Sequence, residues 1–140
     1  MNLRTHLLAG HVIPAQPLAL DRHRKFSERH QRALTRYYVA AGSGGLAVGV
    51  HSTQFEIRDP QHNLFRPVLE LAAQTVRAEL AAAPRDFALI AGLCGQTRQA
   101  VAEAELPLPV FTPALDRARS EKRTRVEPAR AHRDRPAPLP

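Results

Sequence analysis

Two short stretches hold most of the residues able to do chemistry: His51-Ser52-Thr53-Gln54-Phe55-Glu56 and Cys94-Gly95-Gln96-Thr97. In the first, an imidazole precedes two hydroxyls, and Glu56 lies three residues beyond Thr53. The hydroxyls can bind a ligand or close the backbone hydrogen bonds of their own loop. His51, as a neutral imidazole, can donate to a substrate oxygen or bond within the loop. Glu56 can orient the loop or act as an acid or base, but no second carboxylate is placed to pair with it; otherwise it is a surface carboxylate. Cys94 needs a neighbouring base to be a nucleophile. None is near it in sequence, and it reads as a small buried apolar residue. The remaining histidines lack metal-ligand spacing. His23 and His30 are seven apart and can share a helix face, but third and fourth ligands are missing. Gly42, Gly44 and Gly45 follow a helix, not a strand, and form no dinucleotide-binding fingerprint.

The elements that position these residues alternate. His11–Ala15 reads as a short buried strand, with Pro14 and Pro17 turning it into an extended loop. A helix follows over about Ser27–Ala41, with Ser27 as N-cap. Ala33, Leu34, Tyr37, Tyr38 and Ala41 recur at three and four and predict its buried stripe. Gly42-Ser43-Gly44-Gly45 ends it. Leu46–Val50 is a continuous apolar run, as in a strand covered on both faces. Asp59-Pro60 opens a turn, and a second long helix runs over about Leu64–Ala83, with Pro67 in its first turn and Pro84 at its end. Phe87–Gly92 is a third strand. Thr97 is the expected N-cap of a last helix, Arg98–Leu106. The order βαβαβα predicts an α/β fold with a parallel sheet and right-handed crossovers. Polar residues gather just after each strand (Gln16, His51 to Glu56, Cys94 to Thr97), where parallel sheets bind ligands.

The chain has 140 residues, room for one ordinary domain and too few for a closed eight-fold barrel. One cysteine excludes an internal disulfide. No apolar run suits a membrane span, and the N-terminal patch is broken by His11 and Pro14, so a cytoplasmic location is expected. The formal charge of +7 is uneven. Residues 107–140 carry +4 of it, together with seven of the twelve prolines and no glycine. Such a segment buries too little to offset its ordering entropy, and a disordered basic tail is expected. It has no aromatic residue after Phe111, so nucleic acid is not its expected partner.

GHVIPAQPLAL, GGLAVGVHSTQFE and FALIAGLCGQTRQAVAEAE together resemble the opening of the dihydrodipicolinate synthase and N-acetylneuraminate lyase family. The resemblance covers about residues 3–106. It implies the first three β/α units of a (β/α)8 TIM barrel, and a class I aldolase or lyase acting on pyruvate-type 2-keto acids. In that family a pair of hydroxyl residues after strand two binds the keto-acid carboxylate. Ser52 and Thr53 stand in that place, although Gln54-Phe55 replace a usual glycine. Gln96 stands where the family's third strand end has asparagine. The family also needs a Schiff-base lysine late in the barrel and a relay tyrosine after strand four. Lys25, Lys122, Tyr37 and Tyr38 match neither position. The family pattern stops at Leu106, as a truncated or frameshifted product would.

The implied function is thus that of a lyase-family fragment, inactive alone. Its substrate class would be a 2-keto acid such as pyruvate, bound by His51, Ser52, Thr53 and Glu56. No cofactor and no membrane partner are expected. Self-association into a homo-oligomer is one expected assembly. The rival reading is a non-catalytic α/β interaction module whose basic tail docks on nucleic acid or an acidic partner.

Overall fold

A computed structural model describes residues 1–106, and the segment 107–140 lies outside the described residues. The fold is mixed α/β. In chain order its elements are α1 (Leu3–Leu8), α2 (Glu28–Ala40), β1 (Gly45–Val48), two 3-10 turns (His51–Thr53 and Phe55–Arg58), α3 (Phe65–Ala82), β2 (Ala88–Ala91) and α4 (Thr97–Glu105). β1 and β2 pair in parallel, with Gly45 opposite Ala88 and Val48 opposite Ala91. No helix among the described residues is long and apolar enough to cross a membrane.

The expected strand over His11–Ala15 is reduced to a single parallel bridge, Ala15 to Ala47. Pro14 and Pro17 explain this, since neither can donate to a ladder. The segment still runs beside β1. Gly44 N donates to Val12 O at 3.0 Å, Ala47 N to Pro14 O at 2.9 Å, and Gln16 N to Ala47 O at 2.8 Å. The three extended segments thus lie side by side in sequence order. Ahead of them, Leu3–Leu8 forms a helix that apolar periodicity did not reveal; Asn2 caps it by accepting from Thr5 N.

α2 starts as expected at Ser27, whose hydroxyl accepts from His30 N. Its C-terminus closes through Gly42, at φ +82°, a conformation that a Cβ would strain. Gly42 N donates to Val39 O, and Ser43 N to Tyr38 O, the double closure of a Schellman turn. The buried stripe of α2 differs from the expected one. Gln31 and Thr35 are fully buried, Tyr38 and Val39 partly so, while Ala33 and Tyr37 face solvent. The reason is hydrogen bonding: both polar side chains have partners in the neighbouring loop, so burying them costs little.

The core is built mainly by α3. Val68, Leu69, Ala72, Ala73 and Val76 pack against Leu46, Val48, Phe87 and Leu89, with Ile57 and Phe65 closing one end. Each large side chain buried there contributes about 1.5–3 kcal/mol. α2 packs on α3, so both crossover helices cover the same side of the sheet. α4 begins at Thr97 itself, with Gln96 at the N-cap and no side-chain cap bond, in place of the expected Thr97 cap.

Candidate functional site

The carboxyl ends of the strands are joined by a buried polar network that begins at Gln16. Its Nε2 donates to Thr35 Oγ1 at 2.6 Å, and that hydroxyl donates to Gln31 O at 3.0 Å. Gln31 in turn accepts from Ala19 N at 2.7 Å and donates to Pro17 O at 3.1 Å. Among the described residues the proline-containing exit of the first segment has no sheet neighbour on that side, and α2 satisfies its backbone by these side chains. Thr53 completes the network. It is fully buried, donates to Gln16 O at 2.6 Å and accepts from Gly49 N at 3.0 Å.

The four expected ligand-binding residues therefore fall into three situations. The Thr53 hydroxyl is committed to holding the loop. Ser52 Oγ is buried and has no hydrogen-bond partner among the described residues. His51 and Glu56 are exposed, His51 lying edge-on to Phe55 with ring centroids 5.9 Å apart.

Gln54, between the two 3-10 turns, adopts φ +73° and ψ 128°. A glycine enters this region without penalty, whereas a side chain is strained there by roughly 1–3 kcal/mol. The backbone has a glycine-like conformation at a residue with a Cβ. Gln54→Gly should therefore raise the urea midpoint of unfolding, by about 1 kcal/mol in stability, since part of the relief is offset by the freer unfolded chain.

Arg58 and Glu103 were not singled out by sequence, and they form the most developed polar cluster here. Arg58 Nε donates to Glu103 Oε1 at 2.8 Å, and Nη2 to Oε2 at 3.2 Å, a two-point pair. The same Nη2 donates to Gly49 O at 3.0 Å and Gly92 O at 2.8 Å, the first carbonyls beyond β1 and β2. The guanidinium sits 4.1 Å from the Phe65 ring centroid, a cation–π contact. Both side chains are about nine-tenths buried. Arg58 Nη1 is buried without a partner among the described residues. Glu103 also accepts from Gln99 Nε2 at 3.0 Å and Cys94 N at 3.2 Å. The Cys94 Sγ lies 3.9 Å from Glu103 Oε1, so a carboxylate does stand beside the thiol, brought there by α4 rather than by proximity in sequence. The sequence signal was slight: Gln99 and Glu103 share a helix face at a spacing of four, but nothing periodic names a partner 45 residues away.

Burial pushes the Glu103 carboxyl up, but the hydrogen bonds from Arg58, Gln99 and the Cys94 amide, with the Arg58 charge, outweigh it. The net result lies below the ordinary value. A carboxyl lowered in the folded state stabilises the fold fully above its unfolded pKa, about 4.3. That contribution is lost as pH falls through the folded value. Urea midpoints measured across this acid range should fall more steeply for the natural chain than for Glu103→Gln.

Among the described residues no group of three or more His, Cys, Asp or Glu side chains is placed to hold a metal ion. Comparison with protein-family models, characterised proteins and solved structures gives no match.

Proposed function

We propose that residues 1–106 are the first three β/α units of a barrel of the dihydrodipicolinate synthase and N-acetylneuraminate lyase type, and that this chain forms no keto-acid imine by itself. The observation that carries the reading is the arrangement of segment 12–16, β1 and β2. They are neighbours in sequence order and parallel, and both crossover helices lie on one side. The wall of a barrel requires this arrangement; one half of a doubly wound sheet shares it, and the resemblance carried by residues 3–106 favours the barrel. The Ser52 hydroxyl, buried near the end of β1 without a partner among the described residues, supports a carboxylate-binding role for that residue. Thr53 supports the loop in which Ser52 stands. Lys25 is exposed on the turn before α2, at no position matching a late-barrel strand end.

Borohydride reduction in the presence of pyruvate tests the chemistry. The expected mass spectrum shows no added keto-acid unit, and an adduct on Lys25 or Lys122 would overturn the claim of silence. Pyruvate should still perturb the amide resonances of residues 51–53, and Ser52→Ala should remove the effect. Absence of any saturable perturbation in the natural chain would defeat the carboxylate role.

A further inference from the structure

At the opposite, amino-terminal ends of the strands lies an open cavity of about 550 Å3, lined among others by Asn2, Thr5, His6, His11, Arg85 and Asp86. That volume suits a small organic ligand. Its chemistry is dominated by donors. Arg85 is held in place by bonds from Nη1 to Ser43 O at 2.6 Å and from Nη2 to Val39 O at 2.8 Å, and it stacks over Phe87 at 5.1 Å. Both bonded acceptors are neutral carbonyls, so the positive charge of Arg85 is oriented but not neutralised by them. A guanidinium has five N–H groups, and these two bonds leave three.

His6 is buried, and its Nε2 lies 2.6 Å from Gly44 O, so that nitrogen carries the proton it donates. This leaves Nδ1 to accept when the ring is neutral or to donate when it is protonated. His11 stacks on His6 with centroids 4.2 Å apart. The stack exists because residue 44 is glycine: a Cβ there would stand 2.3 Å from the His11 Cβ. Asn2 uses its Oδ1 to cap Thr5 N, which leaves its amide N–H groups as donors. Asp86 is the one carboxylate in the lining, and the Met1 ammonium opposes it at 3.9 Å.

We propose that this cavity binds a small phosphate monoester. A guanidinium, two imidazoles, an amide and the Thr5 hydroxyl surround one space, and a tetrahedral dianion has enough acceptor oxygens to meet several of them. A carboxylate offers one charge and two oxygens. The site is separate from the strand ends that carry Ser52 and Arg58, and it stands or falls independently of the keto-acid reading.

The test is a titration of the full chain at constant ionic strength, read from the ring resonances of His6 and His11. The probes are ribose 5-phosphate, inorganic phosphate, acetate and ribose. Ribose 5-phosphate should give a saturable shift at millimolar concentration or below, inorganic phosphate a weaker one, and acetate and ribose none. Arg85→Gln should weaken ribose 5-phosphate binding about tenfold or more, as loss of a charge-assisted bond implies. Because Arg85 also closes the end of α2, the exposed His11 offers a second variant, His11→Ala, read from His6 alone and expected to weaken binding severalfold. No saturable shift would overturn the proposal, as would acetate binding equal to phosphate or affinity unchanged in a folded Arg85→Gln or His11→Ala variant.

Discussion

Replacing Arg58 with methionine should lower the unfolding free energy by about 3–5 kcal/mol, the usual cost of breaking a buried pair from one side. Three losses act together. Glu103 keeps a charge in a site from which water is largely excluded. The carbonyls of Gly49 and Gly92 lose their shared donor. The contact with the Phe65 ring changes from a cation to a thioether. In a domain with a stability of about 5–15 kcal/mol, such a loss removes a large fraction of the margin that keeps the chain folded. The double variant Arg58→Met/Glu103→Leu should recover a substantial part of it, because an apolar pair of similar volume carries no unpaired charge. Urea midpoints for the two single variants and the double variant form the cycle that measures the coupling. Coupling near zero would show that the pair does not act as a unit.

Thr53→Val should cost about 2–4 kcal/mol, whereas its neighbour Ser52→Ala should change stability by less than about 1 kcal/mol. Valine preserves the shape of threonine but removes a hydroxyl that joins the first segment to the end of β1. Gln16 O and the Gly49 amide are then left in a buried place without it. Among the described residues Ser52 Oγ has no partner to lose. The same pair separates stability from binding, since Ser52→Ala should abolish the pyruvate response while keeping the fold. Equal destabilisation by the two variants would sink this division of labour.

The alternation of helices and strands was legible because apolar runs and glycine or proline punctuation act locally. LAVGV and FALIAG each contain a strand, shorter than expected because β1 stops at Val48 and β2 spans only Ala88–Ala91, and Ser27 and Gly42 bracket α2 as their chemistry demands. The reading failed where a tertiary partner decided the outcome. Gln31 and Thr35 are polar and lie outside the apolar stripe that the sequence predicts, but the Pro17 carbonyl and the Gln16 amide draw them inward. The first strand lost its ladder to two prolines whose effect was read only as an exit. Of the strand-end residues, the positions of Ser52 and Thr53 were readable from adjacency to β1. Their unlike roles were not, because Thr53 is defined by Gln16, 37 residues earlier. Arg58 and Glu103 come together only once α3 and β2 are in place, so no window of sequence contains both.

That long separation also bears on how the molecule assembles. Gly45 meets Ala88 across the sheet, Arg36 meets Glu79 at a spacing of 43 residues, and Arg58 meets Glu103 at 45. A loop of nearly the same length must close before each of these contacts can form, and the three loops overlap over residues 58–79. The main refolding phase from urea should therefore lie in the millisecond range or longer, with intrinsic helicity in α3 as the main early signal. Alanine substitutions at Leu89 and Ile90 of β2 should slow this phase more than they speed unfolding.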